Sequence, residues 1–186
     1  MGGTVRDLLL KREPGDIDLV TEGPPEEAAR RFADKIGGSY FQLSEEFQGC
    51  RVITGDRRNT YDFAPLRGAG IEADLNQRDF TVNAIAARLS DGEIIDPLGG
   101  LTDLEARLLV PVDDEIFDRD PLRLLRALRR EKELGLSISR AMETLIRAKS
   151  GRATRPAVTR LWAELGGLTA TPGAAEATGR GEGMGW

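Results

Sequence analysis

Two carboxylates point to the chemistry of this sequence. In the stretch GDIDLV, Gly15 to Val20, Asp16 and Asp18 interrupt a run that is otherwise apolar. Alternate side chains of a strand share a face. The two carboxylates therefore project together, about 6.6–7 Å apart along the backbone, while Ile17 and Leu19 turn the other way into a core. Like charges so placed repel each other. Either their face looks at water, or a cation sits between them. Such a pair can hold the metal ions of an in-line phosphoryl transfer, which lie about 3.5–4 Å apart. The chain contains no histidine, which excludes histidine general bases and histidine-ligated zinc. Any metal must be held by oxygen, which points to Mg²⁺ or Mn²⁺.

Three further stretches suit an anionic ligand. Gly2 and Gly3 precede a short helical segment, and glycine allows the backbone to approach a phosphate closely. Arg6, on the first turn, adds a fork of donors for phosphate oxygens. In NQRDFTVNAIA, Arg78 stands just outside a predicted helix, Asp79 is its expected N-cap and Asn83 lies one turn inside; Arg78 and Asn83 can reach a ribose or a phosphate. In RDPLRLLRALRR, Asp120, Arg123, Arg126 and Arg129 recur at intervals of three and wrap an arc, while Leu122, Leu124, Leu125 and Leu128 form the core side. Asp120 before Pro121 also reads as an N-cap with proline at the first helical position. The alternative is that Asp120 accepts from the exocyclic amine of a base while Arg123 donates to ring acceptors.

The elements that must position these residues alternate between helix and strand. Helices are expected over 4–12, 24–36 and 80–89, and strands over 16–20, 39–43, 49–54, 59–66 and 93–95. A polar, glycine-containing loop fills 67–77. Thr4 with Asp7, and Thr102 with Glu105, fit capping boxes. Glu26 and Glu27 suit the first turn of the second helix, and Gly37-Gly38 suit its end. Asp62, in the strand TYDFA, alternates with Tyr61 and Phe63 and is a third carboxylate outside the main set. From about Asp120 the pattern becomes helical only, over 121–134, 139–149 and 156–165. From Gly166 onward seven of 21 residues are glycine, the composition of a disordered tail.

The 186 residues suffice for one medium domain with a small helical module. At 40% apolar and 31% charged, the chain reads as globular. No run of about 18 apolar residues predicts a membrane span, and no signal-peptide pattern opens the chain. Its single cysteine, Cys50, fits a reducing, cytoplasmic setting. The net charge of −5 conceals a division: residues 116–160 hold 12 Lys/Arg against 5 Asp/Glu, a balance of +7 that leaves −12 for the rest. A basic helical segment on an acidic body suits a polyanionic partner, or is a solvated helix face.

The motifs GGTVRDLLL…DIDLV, DLNQRDFTVNAIA, DPLGGLTDL and DPLRLLRALR, in this order, resemble the bacterial-type (class II) tRNA nucleotidyltransferase and poly(A) polymerase family, the CCA-adding enzymes. The resemblance covers about Gly2 to Arg129, with an echo at VTRLWAEL. It implies an α/β (α+β) fold: a polymerase-β-like nucleotidyltransferase head with a small mixed sheet over 1–112, an all-helical neck over 113–166, and a tail over 167–186. It implies that Gly3 and Arg6, with Gly2 beside them, hold the triphosphate. Asp16 and Asp18 would hold Mg²⁺, as two ions. Arg78, with Asp79 and Asn83 near it, would contact the nucleotide, Asp120 and Arg123 the base, and Arg126 and Arg129 the same nucleotide site. The implied reaction is addition of CMP and AMP, from CTP and ATP, to the 3′ end of tRNA. The alternatives are a poly(A) polymerase of the same family and a non-catalytic nucleotide- or RNA-binding remnant. The family usually has Glu-Asp where this chain has Arg119-Asp120, which predicts an altered base pocket. The family's strand leading into the Gly-Gly and its tRNA-gripping body and tail domains have no counterpart here. A head-and-neck portion is therefore expected, completed by further domains or a second subunit.

Overall fold

The computed structural model describes residues 1–44, 48–149 and 166. They form two compact units, one of Met1–Gln77 with Asn83–Pro97, the other of Arg78–Val82 with the chain from Leu98 onward. The predicted helix over 156–165 and the glycine-rich tail lie outside the described residues. Among the described residues, no helix is long and apolar enough to cross a membrane.

The first unit is built on a four-stranded mixed sheet. Helix α1 (Gly3–Leu9) leads into β1 (Asp16–Thr21), and α2 (Pro25–Ile36) into β2 (Ser39–Ser44), β3 (Gly49–Ile53) and β4 (Thr60–Pro65). The strand order is β1-β4-β3-β2, with β1 parallel to β4 and the other pairs antiparallel. The start of α2 carries Pro25, Glu26 and Glu27, and left-handed Gly37 closes it at φ 63°, in keeping with the preference for proline and acids at helix starts and glycine at helix ends. Its Ala29 and Ala33 pack on Cys50, Val52 and Phe63, flanked by Leu19, Phe32, Tyr40 and Tyr61. The register pairs Ile17 with Tyr61 and Leu19 with Phe63, so one face of the sheet is apolar and closed by α2. By strand alternation the opposite face takes Asp16, Asp18 and Asp62.

The second unit holds α4 (Gly100–Glu105), α5 (Ile116–Arg119), α6 (Arg123–Leu134) and α7 (Arg140–Lys149), after α3 (Ile71–Leu75) and the β5 (Ala86–Ala87) and β6 (Ile94–Ile95) ribbon of the first unit. Short strands β7 (Leu108–Leu109) and β8 (Ser137–Ile138) pair in parallel, and β8 lies beyond Asp120, where only helices are expected. The predicted core face is present: Leu122, Leu124, Leu125 and Leu128 are all buried. Left-handed Gly135 ends α6.

Four local expectations are corrected. Residues 80–89 do not form a helix. A single 3₁₀ turn at Thr81–Asn83 is followed by the two-residue β5. Every residue from Phe80 to Ala86 is buried, so no polar helix face exists. The backbone pairs with distant segments instead: Thr81 donates to the Val110 carbonyl and Gly2 to that of Ile85. Residues 67–77 are not all loop, because α3 forms there around buried Asp74, whose carboxylate accepts the Arg67 amide at 3.0 Å. Neither capping box forms. Gly2 and Gly99 occupy the N-caps of α1 and α4, without side-chain capping bonds. Thr4 instead joins α1 to β1: it donates to the Asp16 carbonyl at 3.2 Å and accepts the Asp18 amide at 2.8 Å.

Candidate active site

The predicted residues fall into two groups, one in each unit. In the first, Asp16 and Asp18 lie on β1 with their side chains on the exposed face of the sheet. The two bonds of Thr4 fix α1 against the backbone of these two residues. The glycine pair is therefore tied to the carboxylate strand by a hydroxyl that the sequence suggested as a cap. Gly2 adopts φ 61° and ψ −128°, a region glycine favours, and its amide donates to the Ile85 carbonyl at 2.8 Å. At Gly3 an added Cβ would stand 3.5 Å from Arg6 Nη2, ordinary contact, so the conformational need for glycine is at Gly2.

Arg6 is buried, 3% exposed. Its Nε donates to Asp7 Oδ1 at 2.8 Å, and its Nη1 donates to Asn83 Oδ1. Arg6 and Asn83, 77 residues apart in sequence, thus meet directly. The other partner of Arg6, Asp7, lies outside the predicted set.

Across the sheet, Asp18 stands beside Asp62 on β4, and Asp62 stands opposite Arg51 on β3. Arg51 grips Asp62 with a fork, Nε to Oδ1 and Nη2 to Oδ2, both at 2.7 Å. Its Nη2 also lies 3.9 Å from Asp16 Oδ2. The hydrogen bond to Asp62 is the largest cause that pushes the Arg51 guanidinium above its ordinary value, with Asp16 and Asp18 adding to it. Sequence reasoning missed Arg51. Its signal was the alternation Cys50-Arg51-Val52, an arginine between two core residues, which puts its side chain on the same face as the acids.

The face suits a hard cation. Among the described residues, no three metal-ligating side chains converge closely enough to hold an ion. The Asp16–Asp18 pair, on one exposed strand face, would serve as a two-carboxylate donor set. That matches Mg²⁺, which characteristically takes one or two carboxylates and fills its octahedron with water and substrate phosphate oxygens. The guanidinium of Arg51 between Asp62 and Asp16 shows that a positive charge is accommodated there.

In the second unit, Arg123 donates from Nη1 to the Arg78 carbonyl at 3.1 Å, and Arg126 pairs with Asp79 at 3.3 Å. Four predicted residues thus gather across a sequence gap of more than forty residues. Asp79 is no helix cap: it accepts the Phe80 amide at 2.8 Å and anchors Arg126. Burial pushes the Arg123 guanidinium below its ordinary value, opposed by Asp79. Asp120 is extended, and its Oδ1 accepts the Leu122 amide at 3.2 Å; this bond lies in the turn before α6, whose N-cap position is taken by Leu122 rather than by the expected Asp120. Arg129 pairs with Glu133 one turn on, at 3.7 Å. Arg119, the residue before Asp120, binds Asp113 at 2.7 Å.

Known proteins extend this picture. A family model described as the poly(A) polymerase head domain matches residues 1–71 and 68–110. The chain is 43% identical over 146 residues to the CC-adding tRNA nucleotidyltransferase of Geobacter sulfurreducens, covering 78% of this chain and 34% of that protein. It is 39% identical over 180 residues to the A-adding tRNA nucleotidyltransferase of Deinococcus radiodurans, covering 94% and 40%. Among solved structures it is similar to a tRNA-processing enzyme with CTP, with a TM-score of 0.90, 32% identity, and 98% of this chain and 51% of that one covered. It is also similar to a tRNA nucleotidyltransferase complexed with a primer tRNA and an incoming ATP analog, with a TM-score of 0.86, 33% identity, and 95% and 54% covered. The chain spans less than half the length of these two curated relatives.

Proposed function

The chain belongs to the poly(A) polymerase head-domain family, with the polymerase-β-like head seen in tRNA nucleotidyltransferases, and from that premise we propose that it is the catalytic head and neck of a template-independent RNA nucleotidyltransferase. Its substrates would be CTP and ATP, and its acceptor the 3′ end of tRNA. The domain division follows the same reading: head over 1–112, neck over 113–166 and tail over 167–186. The family's body and tail domains, or a second subunit, would supply the grip on tRNA. A cytoplasmic setting fits the unpaired Cys50.

The observation that carries the proposal is the pairing of Asp16 and Asp18 on one exposed strand face, tied through Thr4 to the Gly2–Arg6 turn. Asp16 and Asp18 would hold Mg²⁺. When bound, the metal supplies Lewis-acid activation of the attacking hydroxyl and neutralises charge on the leaving pyrophosphate. The RNA 3′-oxygen forms a bond to the α-phosphorus of the triphosphate, and the bond from that phosphorus to the pyrophosphate oxygen breaks. The residues of this chain bind and orient. Arg6, held rigidly by Asp7 and Asn83, presents fixed positive charge beside the glycine turn, and a preorganised dipole or charge loses no reorganisation energy during transfer. Asp79 holds Arg126, and the Arg78 carbonyl holds Arg123, so these arginines of α6 would meet a nucleotide already ordered. Asp120 and Arg123 would meet the base edge, with Arg126 and Arg129 at the same nucleotide site.

The proposal is tested by incubating the chain with tRNA lacking its 3′ terminus, Mg²⁺ and labelled CTP or ATP. Labelled product with CTP supports C or CCA addition. Product with ATP alone reassigns the chain to A-addition or poly(A) synthesis. No product with either, from a folded chain, contradicts catalysis by this portion and favours the binding remnant.

A further inference from the structure

The carboxylate face carries one side chain that neither the reaction nor the fold's core requires. Arg51 lies on β3 between core residues Cys50 and Val52, both buried, and α2 closes that side of the sheet. Its guanidinium is therefore confined to the face that bears Asp16, Asp18 and Asp62. There it forks onto Asp62 through two bonds of 2.7 Å and reaches within 3.9 Å of Asp16. The pair is partly sheltered, with side-chain exposures of 33% and 25%, against 84% and 56% for the loop pair Arg58–Asp56. Sheltered charges are screened less by water and salt, so this cation is felt by its neighbours.

We propose that Arg51 is a resident counter-cation of the carboxylate face, which holds Asp62 away from an incoming metal and lowers the affinity of Asp16 and Asp18 for a divalent ion. The inference rests on Asp16 and Asp18 being the ion ligands. Without Arg51, three carboxylates on adjacent strands would repel one another, and an ion would bind them tightly before any nucleotide arrived. With Arg51 in place, one of the three negative charges is offset in advance. The ion then binds firmly only when triphosphate oxygens add their charge. A purely structural salt bridge makes a different prediction: its loss would lower stability and leave ion affinity unchanged.

The test is a titration of the intact chain with Mn²⁺ alone, without nucleotide, followed by calorimetry and by the electron paramagnetic resonance signal of free Mn²⁺. Arg51→Gln should bind Mn²⁺ about tenfold tighter, the scale expected when one unit charge is removed several ångströms from a dication in a well-solvated site. Arg51→Lys keeps the charge and should stay near the parent affinity. A folded Arg51→Gln protein with equal or weaker Mn²⁺ affinity overturns the proposal. If that variant does not fold, Asp62→Asn decides: it leaves the cation facing Asp16 and Asp18 alone, so Mn²⁺ binding should weaken, and unchanged or tighter binding overturns the proposal. The double variant Asp16→Asn, Asp18→Asn separates the two levels. If parental Mn²⁺ binding survives in it, the ligand assignment fails and this inference falls with it. If binding is lost there while Arg51→Gln shows no tightening, only the role of Arg51 fails.

Discussion

Asp120 joins an observed structural bond to a proposed chemical role. Its Oδ1 accepts the Leu122 amide in the turn before α6, and loss of such a bond at a helix start costs about 0.5–2 kcal/mol. Asparagine caps a helix about as well as aspartate. Asp120→Asn therefore isolates the chemical role: it should leave the urea midpoint unchanged while replacing one acceptor oxygen with a donor. If Asp120 accepts from a base edge, the ratio of CTP to ATP affinity in a competition assay shifts by about tenfold or more, the equivalent of about 1–3 kcal/mol for a well-formed contact. An unchanged ratio in a stable protein reduces Asp120 to its structural bond. At this scale the sequence was informative where one residue type has few uses. An acidic pair in an apolar strand, or an arginine beside glycines, points to charge chemistry. It was silent on partners: neither Asn83 for Arg6 nor Arg51 for Asp62 is adjacent in sequence, and only the fold brings each pair together.

At the scale of elements, legibility followed locality. Helix α2 could be read because its signals are internal: proline and acids at the start, apolar spacing along it, glycines at the end. Helix α6 was equally plain from its leucines. The segment after Asp79 was misread because its bonding is tertiary. Phe80, Val82, Ala84 and Ile85 are each fully buried, and burial on every side erases the periodicity that distinguishes helix from strand. The Gly37-Gly38 pair shows how tightly α2 is seated. A Cβ on Gly38 would stand 2.9 Å from the Ile53 carbonyl oxygen, a backbone atom of β3 that cannot swing aside. Gly38→Ala should therefore destabilise the first unit by about 1–3 kcal/mol, the usual cost of overpacking, measured by urea denaturation. A stability equal to that of the parent would show that α2 can shift on the sheet.

At the scale of the molecule, the division of charge acquires a meaning. The body that carries the carboxylate face is acidic and the helical segment after it is basic. In the proposed reaction the first attracts the metal and the second a nucleotide or RNA backbone. The sequence motifs conveyed this arrangement in order along the chain, but not the pairings that stiffen it. The central claim is that Asp16 and Asp18 couple a divalent ion to a nucleoside triphosphate. It is tested most directly by equilibrium binding of a labelled, non-hydrolysable CTP analogue to the intact chain, with and without Mg²⁺, in the parent and in Asp16→Ala and Asp18→Ala. The account predicts that Mg²⁺ tightens binding in the parent and has no such effect in either variant. Both variants should remain about as stable as the metal-free parent, since each removes a charge that its neighbouring carboxylates repel, offset at Asp16 by the loss of Arg51 at 3.9 Å. Mg²⁺-dependent nucleotide binding that survives in either variant would contradict the account.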